Sequence, residues 1–115
     1  MEIFNQYMWR FNFEMMLQSY LKLYFKDMEI GEIKDVFGDM PWMYGTIRLF
    51  ENSKPFQKYF REMVDEDSIF DFESIDPEFL YEENWSIFDE DAQRYLGIDI
   101  PAIHMEDTTI AWRWR

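Results

Sequence analysis

The chain has 115 residues, of which 24 are acidic and 11 are basic, so its formal net charge is −13 at neutral pH. It contains no cysteine, which excludes disulfides and thiol nucleophiles and fits a reducing compartment. The negative charge disfavours nucleic acid and anionic membranes as partners. With no basic-then-apolar leader and no run of about 18 uncharged apolar residues, we expect a single cytoplasmic domain spanning 1–115.

Residues 5–28 predict a long N-terminal helix. Apolar side chains recur there every three or four positions, and a polar row at every fourth position runs from Arg10 to Lys26. A strand is the alternative for residues 9–15, WRFNFEM, where apolar and polar residues alternate. The helix is favoured because it also explains the continuation of the pattern to Met28.

The next segments predict a connector, a strand and a second helix. Glycines and a proline punctuate residues 31–41, which indicates a connector. Residues 42–50 are β-branched and aromatic and predict a strand. Ser53 is a candidate N-cap for a second helix, since Pro55 suits a first helical turn. The apolar face of that helix comprises Phe56, Tyr59, Phe60, Met63 and Val64.

Residues 62–91 form an acidic strip that holds thirteen carboxylates and no lysine or arginine, whereas the rest of the chain is neutral. Within the strip, Asp76 followed by Pro77 and Glu78 predicts the start of a short helix that ends near residue 83. Residues 85–88 predict a strand. The many aromatic residues in the strip indicate that it folds and does not form a disordered tail.

The C-terminal residues predict a hairpin of two strands, 98–105 and 109–115, around a turn at 106–108. The whole pattern predicts an α+β fold. In it, the long N-terminal helix and the second helix pack on a small, mainly antiparallel sheet that ends in the C-terminal hairpin.

Catalytic motifs are missing from the sequence. His104 is the single histidine, no G-x-S-x-G segment is present, and the four glycines form no phosphate-binding loop. The acidic triplets at 65–67 and 89–91 lack the glycine and distal glutamate of an EF-hand, so they predict adventitious cation binding only. We therefore expect no enzyme activity, cofactor or specific metal site.

The acidic strip is the candidate functional feature. A solvated face that keeps the protein soluble is the simpler interpretation, but such faces usually mix both signs of charge. A one-sign strip favours a recognition surface for a basic partner, with Tyr81 and Trp85 as exposed aromatic anchors. The candidate partner-binding residues are Asp65, Glu66, Asp67, Asp71, Glu73, Tyr81, Glu82, Glu83, Trp85, Asp89, Glu90 and Asp91.

A small, cysteine-free, acidic and aromatic-rich domain resembles the immunity proteins of bacterial toxin systems, including those of contact-dependent inhibition. The resemblance is one of profile over the whole chain. It implies an antitoxin that binds a cognate, cationic nuclease toxin domain and occludes its active site or an adjacent surface.

Three alternatives stay open. One is an acidic DNA mimic, such as an anti-restriction or anti-CRISPR protein, and another is a small hydrolase with an acid pair. The third is a subunit whose partner is its own copy, which would form a homodimer.

Overall fold

A computed structural model describes residues 20–39, 41–65 and 75–115. Within these ranges the chain forms one seven-stranded antiparallel sheet in the order β5-β4-β1-β2-β3-β7-β6. The strands are β1 Leu21–Phe25, β2 Met28–Asp39, β3 Trp42–Leu49, β4 Trp85–Asp89, β5 Arg94–Gly97, β6 Ala102–His104 and β7 Thr109–Arg113.

The prediction of a long N-terminal helix is wrong over the part that the structure describes, because residues 21–25 form β1. Leu21, Leu23 and Phe25 alternate into the core, as in a strand with one buried face. Tyr24 is buried as well, but on the outer face, where Phe88 and Tyr95 cover it. Adjacent apolar residues on both faces imitate helical spacing. The remainder of the predicted helix, residues 5–19, lies outside the described ranges.

The predicted connector at residues 31–41 is also wrong, because β2 extends through most of it. Gly31 is a strand residue that pairs with Leu49 of β3, and a Cβ placed on it would lie 2.7 Å from the carbonyl oxygen of Arg48. The glycine therefore allows close approach of two backbones and does not mark a turn. Asp35, with φ 53°, occupies an irregularity where the register between β2 and β3 shifts.

The two edges of the sheet are joined, so that it closes into a barrel. Residues 94–104 form one run whose first part pairs with β4 and whose last part pairs with β7. Between these parts, Ile98 forms a bridge with Trp114, and the amide of Arg115 donates to the carbonyl of Gly97 at 3.0 Å. We call this junction the seam.

The seam is held from both sides. The Ile98 amide donates to the carbonyl of Trp85 on β4 at 3.3 Å. The guanidinium of Arg115 donates to the carbonyls of Ile98, at 2.8 Å, and Trp85, at 3.0 Å. One side chain thus links three segments of the chain that are distant in sequence.

In the part of the chain that the structure describes, one segment with an α-helix packs on the barrel. It begins as a 3₁₀ turn, Glu51–Phe56, and continues as helix α1, Gln57–Val64, which packs against β6. Ser53 lies inside the 3₁₀ turn, and its buried hydroxyl donates to the carbonyl of Phe50, so the prediction of an N-cap at Ser53 is wrong. Phe56 and Phe60 point into the core from this segment.

The described residues therefore form a mainly antiparallel sheet with one helical segment, and the predicted two-helix α+β fold is wrong. The predicted C-terminal hairpin is present as β6 and β7, and the strands predicted at 42–50 and 85–88 are present as β3 and β4. Among the described residues, no helix is long and apolar enough to cross a bilayer.

Gly31→Ala tests whether residues 31–39 form a strand. We expect a loss of about 1 to 3 kcal/mol in the free energy of unfolding, because the new methyl group meets a backbone oxygen that cannot move aside. Gly38→Ala is the matched control, since its close contacts are with the flexible end of the Met43 side chain, while the nearest backbone oxygen, that of Trp42, lies 3.9 Å away, so the change should cost less. Urea unfolding measures both, and equal stability of the two variants would contradict the strand assignment of Gly31.

Arg115→Ala tests the seam. The variant should lose about 1 to 2 kcal/mol of unfolding free energy, because two carbonyls lose their charged donor. Arg113→Ala removes a neighbouring guanidinium that lies over the Trp42 ring, and we expect a smaller loss. Chemical denaturation measures the unfolding free energy of both variants. If Arg115→Ala is as stable as Arg113→Ala, the result argues against this closure of the sheet.

Candidate protein-binding surface

The structure divides the acidic strip into separate patches. Residues 76–84, which we call the acidic rim, precede β4, and residues 89–91, which we call the acidic turn, follow it. The five residues of β4 span about 15 Å, and residues 85 and 87 are buried. The described carboxylates of the strip therefore do not form one continuous ridge.

The acidic rim consists of two short 3₁₀ turns, Pro77–Leu80 and Glu82–Asn84. Asp76 caps the first turn by accepting a hydrogen bond from the amide of Glu78 at 3.0 Å, as its position before a proline predicts. The side-chain amide of Asn84 donates to the carbonyl of Glu78 at 2.8 Å and ties the second turn to the first. These bonds fix the rim's backbone before any partner arrives.

Trp85 supports the rim from within the core, so it is not the exposed partner-binding residue that the sequence predicts. Its side chain is fully buried, and its indole N–H donates to the carbonyl of Phe79 at 2.9 Å. The ring packs among core aromatic rings, including Phe25, Phe56, Phe60 and Phe79. Sequence alone does not separate the two roles, because a tryptophan among acids has the same local pattern in either case.

Tyr81 is the exposed aromatic residue of the rim, with 50% of its surface accessible. The carboxylates of Glu82 and Glu83 are exposed beside it, and neither forms an ion pair within the part of the chain that the structure describes. Glu78 is different, since its carboxylate pairs with Lys26 from the β1–β2 turn. The rim therefore presents an amphipathic ring followed in the chain by two exposed carboxylates that pair with no cation of the described residues.

The acidic turn is partly compensated by the chain itself. The carboxylate of Asp89 accepts from the amides of Asp91 and Ala92, which shapes the turn. Glu90 pairs with Lys22 at 3.1 Å, and this hydrogen bond is the main cause that raises the pKa of Lys22. The carboxylates of Asp89 and Glu90, which the sequence predicts to contact a partner, instead form bonds within the protein.

Lys22 also reaches Glu29, at 3.4 Å, beside the outer-face aromatic cluster of Tyr24, Phe88 and Tyr95. The hydroxyl of Tyr24 donates to Glu29 at 2.9 Å. Burial, followed by this hydrogen bond, raises the pKa of Tyr24 above its ordinary value. Tyr24 is therefore neutral over the physiological pH range.

Of the remaining predicted site residues, the structure describes Asp65, and it does not extend either patch. Asp65 is the C-cap residue of α1 and so belongs to a different element from the rim and the turn. It also interacts with another group of the protein. Glu66, Asp67, Asp71 and Glu73 lie outside the described residues.

The single histidine, His104, lines an open groove of about 420 Å³ between the end of α1 and the β6–β7 turn. The charged side chains around it, those of Arg61, Asp65, Glu106 and Asp107, are all exposed. Among the described residues, no three histidine, aspartate or glutamate side chains are grouped so as to hold a metal ion. Among the described residues that line this groove, none is a desolvated acid or base of the kind that general acid–base catalysis uses.

Comparison of the chain with protein-family models, curated proteins and solved structures gives no match. Function is therefore inferred from the residues and their geometry.

Trp85→Phe and Tyr81→Ala separate the buried and exposed aromatics. Trp85→Phe leaves the buried carbonyl of Phe79 without its donor and should cost about 1 to 3 kcal/mol of unfolding free energy. Tyr81→Ala should change that free energy by no more than about 0.5 kcal/mol, because the ring is half exposed. Thermal and urea unfolding test this, and a strongly destabilised Tyr81→Ala protein would show that Tyr81 is structural.

Proposed function

We propose that the protein is a binding protein of the immunity class, which neutralises a cationic toxin domain by occluding its active site or an adjacent surface. The observation that carries this proposal is the rim, where half-exposed Tyr81 lies between the backbone-fixed turns and next to Glu82 and Glu83. An aromatic anchor beside unpaired charges of one sign is a typical protein-recognition surface.

Charge supports a basic partner. The carboxylates of Glu82 and Glu83 have no internal cation among the described residues, so their repulsion costs stability in the free protein. A partner that supplies lysine or arginine side chains would relieve that repulsion. Nuclease toxins fit this requirement because they must hold phosphates.

The rim also supports a simple mechanism. Long-range attraction between the −13 protein and a cationic domain accelerates their encounter, and the rim then docks with little rearrangement because hydrogen bonds already fix its backbone. Tyr81 would be buried at the centre of the contact, with the two glutamates paired around it. No catalytic step, cofactor or metal is part of this mechanism.

The proposed cellular location is the cytoplasm, where an incoming toxin would act on its substrate. Among the alternatives, a DNA mimic needs carboxylates along a continuous surface, and β4 interrupts the described ones. A hydrolase needs two carboxyls in different environments across a cleft, and the described groove has only exposed ones. Neither alternative has a specific observation in its favour.

A double charge reversal tests the proposed function. Candidate toxin domains are those encoded beside this gene, and each is tested for arrest of growth and for rescue by co-expression of this chain. For the toxin that is rescued, Glu82→Lys/Glu83→Lys should lower the association rate at low salt by roughly tenfold or more and weaken the salt dependence of that rate.

Glu106→Lys/Asp107→Lys is the matched control. It makes the same change in net charge at two adjacent exposed positions in the β6–β7 turn, a different element from the rim. Stopped-flow or surface-based kinetics compare the two variants at several salt concentrations. If both variants slow association equally, only the net charge matters and the rim is not the binding surface.

A further inference from the structure

The turn between β1 and β2 is in direct contact with the acidic rim. Lys26 and Asp27 are the two residues that separate these strands. The backbone amide of Lys26 donates to the carbonyl of Asn84 at 2.7 Å. The ammonium group of the same residue donates to the carboxylate of Glu78. Lys26 therefore bonds both 3₁₀ turns of the rim, one through its backbone and one through its side chain.

These two bonds complete a closed set around Tyr81. The side-chain amide of Asn84 donates to the carbonyl of Glu78 and joins the two turns. Between them, the amide of Tyr81 donates to the Glu78 carbonyl at 3.2 Å, and the Tyr81 carbonyl accepts from the Asn84 amide at 3.0 Å. The exposed tyrosine thus lies between the two rim residues that Lys26 holds.

The backbone of Lys26 adopts a conformation that lysine disfavours. Its φ is 55°, in the left-handed region, where glycine and asparagine are accommodated more readily. Asp35, Gln93 and Thr108 share this conformation, but of these four described residues Lys26 is the one that bonds the rim. Because asparagine would suit the turn better, the geometry of the turn does not explain the lysine side chain.

Global stability does not explain the lysine side chain either. The side chains of Lys26 and Glu78 are 43% and 50% exposed. An ion pair this exposed contributes little to the unfolding free energy, because both ions stay hydrated and salt screens their attraction. Its effect is local, since it restricts the Glu78 side chain and the rim turn that carries it.

We infer that Lys26 is a positioning residue of the acidic rim, whose amide and ammonium group together hold the two 3₁₀ turns in the arrangement that presents Tyr81. The consequence for a partner rests on the proposed function. A rim that is already held loses less conformational freedom on binding, so losing the hold should speed dissociation of the complex.

Three variants separate positioning from charge and from stability. Lys26→Asn removes the ammonium group and suits the left-handed backbone, whereas Lys26→Arg keeps a cation at the same place. Lys54→Asn is the matched control, because it removes the lysine of another exposed ion pair, with Glu51, and makes the same change in net charge. In urea unfolding, Lys26→Asn should be no less stable than the unmodified protein, since the relieved backbone offsets a weak ion pair.

Hydrogen exchange of the free protein, followed by NMR, measures the order of the rim without any partner. In Lys26→Asn the amides of Tyr81 and Asn84 should exchange roughly two- to fivefold faster, the range expected for losing an exposed ion pair. Lys26→Arg and Lys54→Asn should leave these rates unchanged. With the toxin that is rescued, Lys26→Asn should raise the dissociation rate, while its association rate should change only as much as that of Lys54→Asn.

Unchanged exchange at the rim in Lys26→Asn would overturn this inference, as would exchange in Lys26→Arg as fast as in Lys26→Asn. A uniform increase across the sheet, together with lower stability, would also overturn it, because Lys26 would then serve the fold as a whole. Faster exchange at the rim with unchanged toxin dissociation would support the positioning role and contradict the rim as the binding surface. Conversely, an effect of Glu82→Lys/Glu83→Lys on association, with unchanged rim exchange in Lys26→Asn, would support the proposed function alone.

Discussion

The closure of the sheet at Ile98 is the constraint on which the rest of the structure depends. Strands β5 and β6 belong to one run of chain that pairs with β4 on one side and β7 on the other. Both edges of the sheet are thereby brought together, and the inward side chains of the seven strands share one core. Trp85, the first residue of β4, accepts hydrogen bonds from Ile98 and Arg115 at this closure, and its indole donates to the acidic rim. Trp85 therefore connects the closure of the barrel to the candidate binding surface.

The distribution of charge follows from this architecture. The buried strand β4 crosses the acidic strip, so the described acids on its two sides separate into a rim and a turn. Some of them cap turns or pair with Lys22 and Lys26, which come from elsewhere in the chain. Within the described ranges Glu82 and Glu83 form no such ion pair, and they follow the exposed Tyr81 in the chain. The case for recognition therefore depends on a few residues and not on the total charge.

Sequence predicted the elements whose pattern is local. Strands β3 and β4 and the C-terminal hairpin have one apolar face each, and alternation identifies them. The alternation pattern does not identify β1, because Tyr24 is buried on the outer face by Phe88 and Tyr95, which are distant in sequence. The sequence predicts a connector at Gly31, whereas a glycine is required there because the backbone of the neighbouring strand β3 approaches closely. The sequence predicts Trp85 as a surface anchor because its burial depends on Phe25, Phe56 and Phe60, which are distant in sequence.

The central claim is that the acidic rim meets a basic partner directly. Hydrogen exchange of the backbone amides, measured on the free protein and on its complex with the toxin that it neutralises, tests this most directly. The account predicts slower exchange at residues 77–84 in the complex, with the β6–β7 turn at 105–108 unchanged. Unchanged exchange at 77–84, together with protection at 105–108 or along the His104 groove, would contradict it.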